Sequence, residues 1–266
     1  MATVGFIGAG NMGFAIMKGI AGSALAKETQ LFAFDPDTSK TGRLAEIGVT
    51  ACASGMDVMR ACKFVFLAVK PQMFDDVLAQ IAEGVTEDTV IVSIAAGITA
   101  EYIRSKTIPN AKVILVMPNT PLLLGVGASA LAQCAPTSDA EFATVRSYFD
   151  ACGISAALQE DKMKEIIAIN GSSPAFIYLF AKAFVDYAAK EGISRETALS
   201  LFAQSLIGSA KMLTDSGYSI EELIKMVSSP GGTTLAGLDE LYKGELEKTV
   251  DKCCEACTRR AYELSK

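Results

Sequence analysis

Apolar and polar positions along this chain change rhythm once. Over the first half, apolar runs of five or six residues alternate with stretches whose apolar residues recur at helical spacing, and from about Lys162 only the helical spacing persists. The first run, Thr3 to Ile7, ends at Gly8-Ala9-Gly10-Asn11-Met12-Gly13, and Met12 to Ile20 continues with a helical pattern. A second run, Gln30 to Phe34, stops at Asp35-Pro36-Asp37, after which Ser39 to Ile47 reads as a helix with Leu44 and Ile47 inward. Strand, turn, helix and strand make a βαβ unit. Phe64 to Val69, Thr89 to Ile94 and Lys112 to Met117 extend the series, with helical segments such as Gln72 to Glu83 and Ala100 to Ser105 between them. The pattern predicts an α/β protein whose N-terminal domain, residues 1–161, is a Rossmann-type doubly wound, mostly parallel sheet.

The second domain, residues 162–266, reads as all helical. Met163 to Ala189 is interrupted by Asn170-Gly171-Ser172-Ser173-Pro174 and closed by Gly192. Ser194 opens a helix to about Leu213, Ser219 and Glu222 form a capping-box pattern, and a last helix covers roughly Glu245 to Leu264. Phe176 to Phe180 and Ala198 to Ile207 carry more apolar surface than a small bundle hides, which predicts dimerisation through these helices or packing on the first domain.

Composition narrows the chemistry. The 266 residues hold 24 basic and 30 acidic side chains, a net charge of -6, and no clustered cations of the kind that hold a phosphate backbone. A small-molecule partner is expected, with no nucleic acid and no membrane, in the cytoplasm; the start lacks the basic region and continuous apolar run of a signal peptide. Seven scattered cysteines fit reduced thiols, and Cys254-x-x-Cys257 lies in a helical pattern without the further ligands of a metal site. There is no histidine at all, which excludes every imidazole-dependent mechanism.

The glycine turn has the context that gives this motif meaning: a strand before it, a helix after it, and Asp35 at the end of the second strand, 22 residues beyond Gly13. The first glycine permits the turn, the second admits a pyrophosphate, the third lets helix and strand pack, and the helix amides face the phosphates. Later strands end in small or polar loops, Lys70-Pro71-Gln72, Ala95-Ala96-Gly97 and Pro118-Asn119-Thr120-Pro121, where a doubly wound sheet places its ligand crevice. Asn119 is counted with the cofactor-facing residues. In the helical half, Ser228 to Thr234 leaves backbone N–H groups and two hydroxyls free at a helix start, an arrangement suited to an anion or to an ordinary cap.

Taken together and in order, Ala68-Val69-Lys70-Pro71, Met117-Pro118-Asn119-Thr120-Pro121, Gly171-Ser172-Ser173-Pro174-Ala175-Phe176 and Ser229-Pro230-Gly231-Gly232-Thr233-Thr234 make the chain resemble pyrroline-5-carboxylate reductase over essentially its whole length. The last segment, continuing through Ala236-Gly237-Leu238, is the most specific. The resemblance implies reduction of 1-pyrroline-5-carboxylate to L-proline by NADPH or NADH, a helical dimerisation domain, and often a decamer. It implies cofactor contacts at Ile7, Gly8, Ala9, Gly10, Asn11, Met12 and Gly13, at Ala68, Val69, Lys70 and Pro71, and at Ala95, Ala96 and Gly97. It implies a substrate loop of Ser229, Pro230, Gly231, Gly232, Thr233 and Thr234, with Thr234 near the ring nitrogen as the catalytic hydroxyl, and it places a substrate-binding glutamate at Glu160. Ser173 departs from the glycine of many members and Met226 from the asparagine of some.

The residues suit this reaction without a histidine. A protonated imine already accepts hydride, so the protein needs to orient the reactants, bind a carboxylate and let a proton reach nitrogen, directly or by a water relay through Thr234. Asp35 stands where an acid accepts a bond from the adenosine ribose 2′-OH of NADH, while Thr38, Ser39 and Lys40 offer a 2′-phosphate of NADPH two hydroxyls and a cation, so both cofactors are expected to serve. Two other readings remain. A β-hydroxyacid dehydrogenase would use a lysine on the long helix, Lys182 or Lys190, and a dinucleotide-sensing dimer would keep the glycine turn without needing a carboxylate loop.

Overall fold

The computed structural model describes residues 1–265, which form two compact units. The first comprises Met1–Pro174 together with the chain from Ala256 onward, and the second is Ala175–Glu255. The division at 161/162 marks where strands end in the sequence, whereas the first unit also keeps the helical turns that lie against its sheet.

The first unit is an eight-stranded sheet with helices. In chain order it contains β1 (Ala2–Ile7), α1 (Asn11–Ala21), β2 (Thr29–Phe34), α2 (Thr38–Thr41), β3 (Thr50–Ala51), α3 (Gly55–Ala61) and β4 (Phe64–Leu67). Then come α4 (Phe74–Ile81), β5 (Val90–Ser93), α5 (Ala100–Lys106), β6 (Lys112–Met117), β7 (Gly127–Cys134), α6 (Asp139–Asp150) and β8 (Gly153–Ala157). Strand order is β3-β2-β1-β4-β5-β6-β7-β8, so the chain winds outward from β1, crosses back to β4 and winds outward again. The crevice of a doubly wound sheet opens at that reversal, between the carboxyl ends of β1 and β4.

The apolar runs are continuous because both sheet faces are covered. Along β4, Phe64 and Phe66 enter one core with Phe6, Ile16, Met17, Tyr148 and Phe149, while Val65 and Leu67 enter the other with Leu78, Ile103, Leu115 and Met117. Phe6 stacks on Phe66 across β1 and β4 with centroids 4.5 Å apart.

Several details depart from the sequence reading. The Ser39–Ile47 helix is α2 followed by a separate 3₁₀ turn at Ala45–Ile47, with Gly42 ending α2, although Leu44 is fully buried as expected. β7 and β8 are additional strands, and β7 runs antiparallel to β6 because the link between them is a 3₁₀ turn at Thr120–Leu124, not a helical crossover. α6 then supplies a true crossover, and β8 lies parallel to β7. The capping box that starts α6 uses Ser138 and Glu141, and Glu141 also receives Lys112 at 2.9 Å and Lys63 at 3.2 Å.

The second unit is helical throughout its regular structure. It takes up α7 (Ser173–Lys190), then holds α8 (Arg195–Asp215), α9 (Ile220–Met226) and α10 (Thr233–Lys243), and α11 (Leu246–Leu264) carries the chain back into the first unit. Both halves of the Ser219/Glu222 capping box form at the start of α9. Among the described residues of this unit, Val185 is the one buried hydrophobic side chain, while Leu179, Leu201 and Ile207 are more than half exposed. Phe180, Phe184 and Phe202 cluster, the last two stacked at 4.3 Å.

Candidate active site

The glycine turn assigns each of its glycines a different physical task. Gly8 has φ +106, and a Cβ there would lie 2.4 Å from the Ala68 carbonyl oxygen, so this position requires glycine twice over. A Cβ on Gly13 would lie 2.5 Å from the Gly8 oxygen, because α1 starts hard against the turn. A Cβ on Gly10 would meet nothing within 4 Å. The open side of Gly10 is thus clear of protein, directly before the first turn of α1, where Phe14 N–H makes the first helical bond to Gly10 O and no side chain caps the end. Amides of Asn11, Met12 and Gly13 at an uncapped helix start, beside a clear space, suit a pyrophosphate.

The other residues expected to face a cofactor lie along the same sheet margin. Ala68 N–H bonds Ile7 O at 2.8 Å and its carbonyl abuts Gly8, so Ile7, Gly8 and Ala68 form the two lips of the crevice. Val69, Lys70 and Pro71 follow, with Lys70 preceding the 3₁₀ turn at Pro71–Met73. After β5, Gly97 takes φ +78 and sits 3.3 Å, as a Cβ would measure it, from the carbonyl of Leu264 at the end of α11. The last turn of α11 therefore backs the Ala95-Ala96-Gly97 loop. Tyr262, in that turn, donates to Glu165 Oε1 at 2.7 Å, and Lys164 lies 4.5 Å from its ring centroid. That hydrogen bond holds the Tyr262 hydroxyl above its usual range and the Glu165 carboxyl below its own.

Glu160 lies in a 3₁₀ turn and lines a cavity of about 300 Å³ with Ala95, Gly97, Met117, Lys164 and Tyr262. A proposed substrate residue and two proposed cofactor residues thus share one cavity of the first unit.

Asn119 is braced from two sides. Its Oδ1 accepts the Ala128 N–H at 2.9 Å and its Nδ2 donates to Asn170 Oδ1 at 3.4 Å, while Asn170 Nδ2 donates to the Met117 carbonyl at 2.5 Å. Asn170 is buried within a π-helical turn, Ile167–Gly171, closed by the Ser172 N–H on Ile167 O. Sequence reasoning treats Asn170 only as part of a helix interruption. The one available signal is a polar, helix-disfavouring residue inside an apolar run.

Asp35 is 7 % exposed, and both its oxygens are engaged: Oδ2 accepts the Ala9 N–H at 2.8 Å, and Oδ1 accepts the Asp37 N–H at 2.9 Å. Lys40 Nζ bridges the two at 3.2 and 3.4 Å.

In the second unit, the Ser229–Thr234 loop is built for an uncapped helix start. Gly231 has φ +71, and Gly232 N–H closes a turn on Ser229 O at 2.9 Å. A Cβ on Gly232 would lie 2.6 Å from Ser229 Oγ, and Gly232 is the N-cap of α10 with no side-chain cap. Pro230 precedes this turn, and Thr233 and Thr234 occupy the first turn of α10 with both side chains exposed. Their amides lie at an uncapped helix start, a position that can receive an anion. Lys182 is held instead by Asp186, which also binds Arg195.

Cys62 and Cys134 are buried, and burial pushes both thiols up to about 12, so neither is a nucleophile at neutral pH. Among the described residues no group of histidine, cysteine and acidic side chains could hold a metal ion.

A doubly wound sheet with this cradle at its β1/β4 reversal defines a dinucleotide-dependent oxidoreductase. Residues 160–264 match the model described as pyrroline-5-carboxylate reductase dimerisation, and residues 3–97 match that of an NADP oxidoreductase, coenzyme F420-dependent. Pyrroline-5-carboxylate reductase of Escherichia coli K12 is 33% identical over 264 residues, 99% of this chain and 98% of that one. The Pisum sativum enzyme is 35% identical over 263 residues, 99% and 96% of the two chains. The crystal structure of the Plasmodium falciparum enzyme with NADP bound superposes with a TM-score of 0.90 at 29% identity, covering 100% and 98%. The chain belongs to the pyrroline-5-carboxylate reductase family.

Proposed function

We propose that this protein reduces 1-pyrroline-5-carboxylate to L-proline, the final step of proline biosynthesis, with NADPH or NADH. The observation that carries the reading is the glycine turn, closed at Gly8 and Gly13 and open at Gly10, in a chain related to these reductases over its full length. The bound nicotinamide supplies the hydride that reduces the C=N carbon.

The protein's own work is binding and orientation. Amides at the start of α1 hold the pyrophosphate, and the loops after β4 and β5 hold the rest of the dinucleotide. Ser229 to Thr234 receives the substrate carboxylate on the free amides of α10, and Glu160 contributes to substrate binding. The Thr234 hydroxyl hydrogen-bonds the ring nitrogen, which ends the reaction as an amine after taking one proton. That proton reaches the nitrogen directly from the Thr234 hydroxyl or by a water relay through it, and neither route needs a histidine, of which the chain has none.

The exposed helices of the second unit support a homodimer formed through them, and the family resemblance supports further assembly into a decamer. Sedimentation of the active protein tests both, and a stable active monomer contradicts them. Among the described residues no helix is long and apolar enough to cross a membrane.

The deciding assay mixes purified protein, 1-pyrroline-5-carboxylate and either reduced cofactor. Proline formed in step with cofactor oxidation is the expected result. Cofactor binding without turnover would point to a dinucleotide sensor, and turnover of β-hydroxyacids alone would point to a dehydrogenase.

A further inference from the structure

Three segments distant in sequence meet beside the loop after β5, all of them within the first unit. The loop itself, Ala95-Ala96-Gly97, turns at Gly97 with φ +78, and a Cβ there would lie 3.3 Å from the Leu264 carbonyl oxygen and 3.5 Å from Ser265 Cα. The backbone that ends α11 therefore packs on the loop with no side chain between them. Few contacts keep the last turn of α11 in that place. Ala261 is the one buried side chain of α11 among the described residues. Tyr262, half exposed, donates to Glu165 Oε1 at 2.7 Å across 97 positions of sequence, and Lys164 Nζ lies 4.5 Å from its ring centroid. Glu165 Oε2 is shielded from solvent with no hydrogen-bond partner among the described residues, so the phenol supplies this carboxylate with its bond to another side chain. The Ser265 N–H and hydroxyl both donate to the Tyr262 carbonyl, at 3.2 and 3.0 Å. Tyr262 thus anchors the turn by its side chain and terminates it by its backbone. A helix end with so little burial frays readily, and a charge-assisted bond from phenol to carboxylate opposes the fraying.

We propose that Tyr262 is a positioning residue for the cofactor: by fastening the last turn of α11 to Glu165, it holds the Leu264 and Ser265 backbone against Gly97 and fixes the Ala95-Ala96-Gly97 loop in the form that receives the dinucleotide. The proposal rests on the reading of that loop as part of the dinucleotide site. The action is indirect, through the backbone that Tyr262 holds. Ala95, Gly97 and Tyr262 also line the same cavity of about 300 Å³, so a shift of the turn alters the loop and the cavity wall together.

Calorimetric titration of the purified full chain with NADP⁺, joined to steady-state kinetics, tests this. Tyr262→Phe keeps the ring beside Lys164 and removes only the hydroxyl. It is expected to weaken NADP⁺ about three- to tenfold and to raise cofactor KM to match, while kcat at saturating cofactor and substrate KM stay within about twofold. Glu165→Ala should do the same, and the double variant should lose no more than either single one, since both changes break one bond. Glu165→Gln, which keeps an acceptor, should fall between Glu165→Ala and the unmodified protein. Hydrogen–deuterium exchange should rise over residues 94–98 in Tyr262→Phe while β1 and β4 exchange as before. Unchanged NADP⁺ affinity in Tyr262→Phe overturns the proposal, as do losses that add in the double variant or a fall in kcat with cofactor KM unmoved. Tyr262 is half exposed, so its variant folds, and the Glu165→Gln and Glu165→Ala pair gives the same comparison without touching α11. If the unmodified protein does not bind NADP⁺, the dinucleotide reading falls and this proposal with it; binding that ignores every one of these substitutions removes the proposal alone.

Discussion

At the residue scale, the absence of a side chain does as much as any side chain. Gly8 and Gly10 are two positions apart in one motif, yet they respond to opposite constraints. Gly8→Ala forces a Cβ against the Ala68 carbonyl at a left-handed φ, and a loss of about 2–4 kcal/mol in folding stability is expected by denaturant titration. Gly10→Ala meets no neighbour, so its unfolding midpoint should stay near that of the unmodified protein. Its methyl enters the space assigned to the pyrophosphate, and cofactor Kd should rise about tenfold or more, worth about 1.4 kcal/mol at least. Equal cofactor affinity in Gly10→Ala would remove the phosphate from that place. Thr234→Ala is the complementary change, on the substrate side. It should lower turnover about tenfold to a hundredfold while leaving cofactor Kd nearly intact, as for a hydrogen bond of roughly 1–3 kcal/mol made in the transition state. An unchanged rate would take Thr234 out of the mechanism.

At the scale of elements, the π-helical turn before α7 matters more than its length suggests. It aims the Asn170 side chain at the end of β6, where its Nδ2 donates to the Met117 carbonyl and its Oδ1 accepts from Asn119 Nδ2. Asn170→Ala leaves that carbonyl without its donor in a buried setting, and a stability loss of about 1–3 kcal/mol is expected, read as a lower unfolding temperature. Because Asn119 loses a brace at the same time, cofactor KM should rise along with the loss of stability. Asn170→Asp keeps the contact to Asn119 but cannot donate to the carbonyl, so it should restore less stability than binding. If Asn170→Ala unfolds like the unmodified protein, the bond to Met117 contributes nothing.

At the scale of the whole molecule, acid sensitivity has an identifiable source in the first unit. Burial raises the Glu141 carboxyl, but bonds from Lys112, the Ser138 amide and hydroxyl, and Lys63 outweigh it and hold the group at about 2, against an ordinary 4.5. A carboxyl lower in the folded than in the unfolded state stabilises the fold above its unfolded value and ceases to do so as pH falls through the folded one. The contribution, about 3 kcal/mol at most, should therefore be complete above about pH 5 and disappear towards pH 2. Glu141→Gln should flatten the pH dependence of the unfolding midpoint across that interval, as followed by circular dichroism. A variant whose midpoint still falls as steeply would place the acid-sensitive group elsewhere.

Local chemistry and regular periodicity were enough to read β1, α1, β2, β4, β5 and β6, the glycine turn, and the helical second half. Those elements are buried on fixed faces or start at strong caps, and such signals are local. β7 and β8 escaped because Gly127 to Cys134 and Gly153 to Ala157 are rich in small residues and show neither alternation nor a long apolar run; pairing with β6 is what makes them strands. The motifs propose a chemistry for the site by type: open amides at two helix starts, and a threonine in a chain without histidine. What they could not say is where each carboxylate and amide spends its hydrogen bonds. Asp35 occupies the expected sequence position, but only the approach of β2 to the glycine turn commits its oxygens to Ala9 and Asp37. Asn170 finds its partners 53 and 51 positions earlier in the chain, and such contacts depend on packing across the sheet, which no local pattern records.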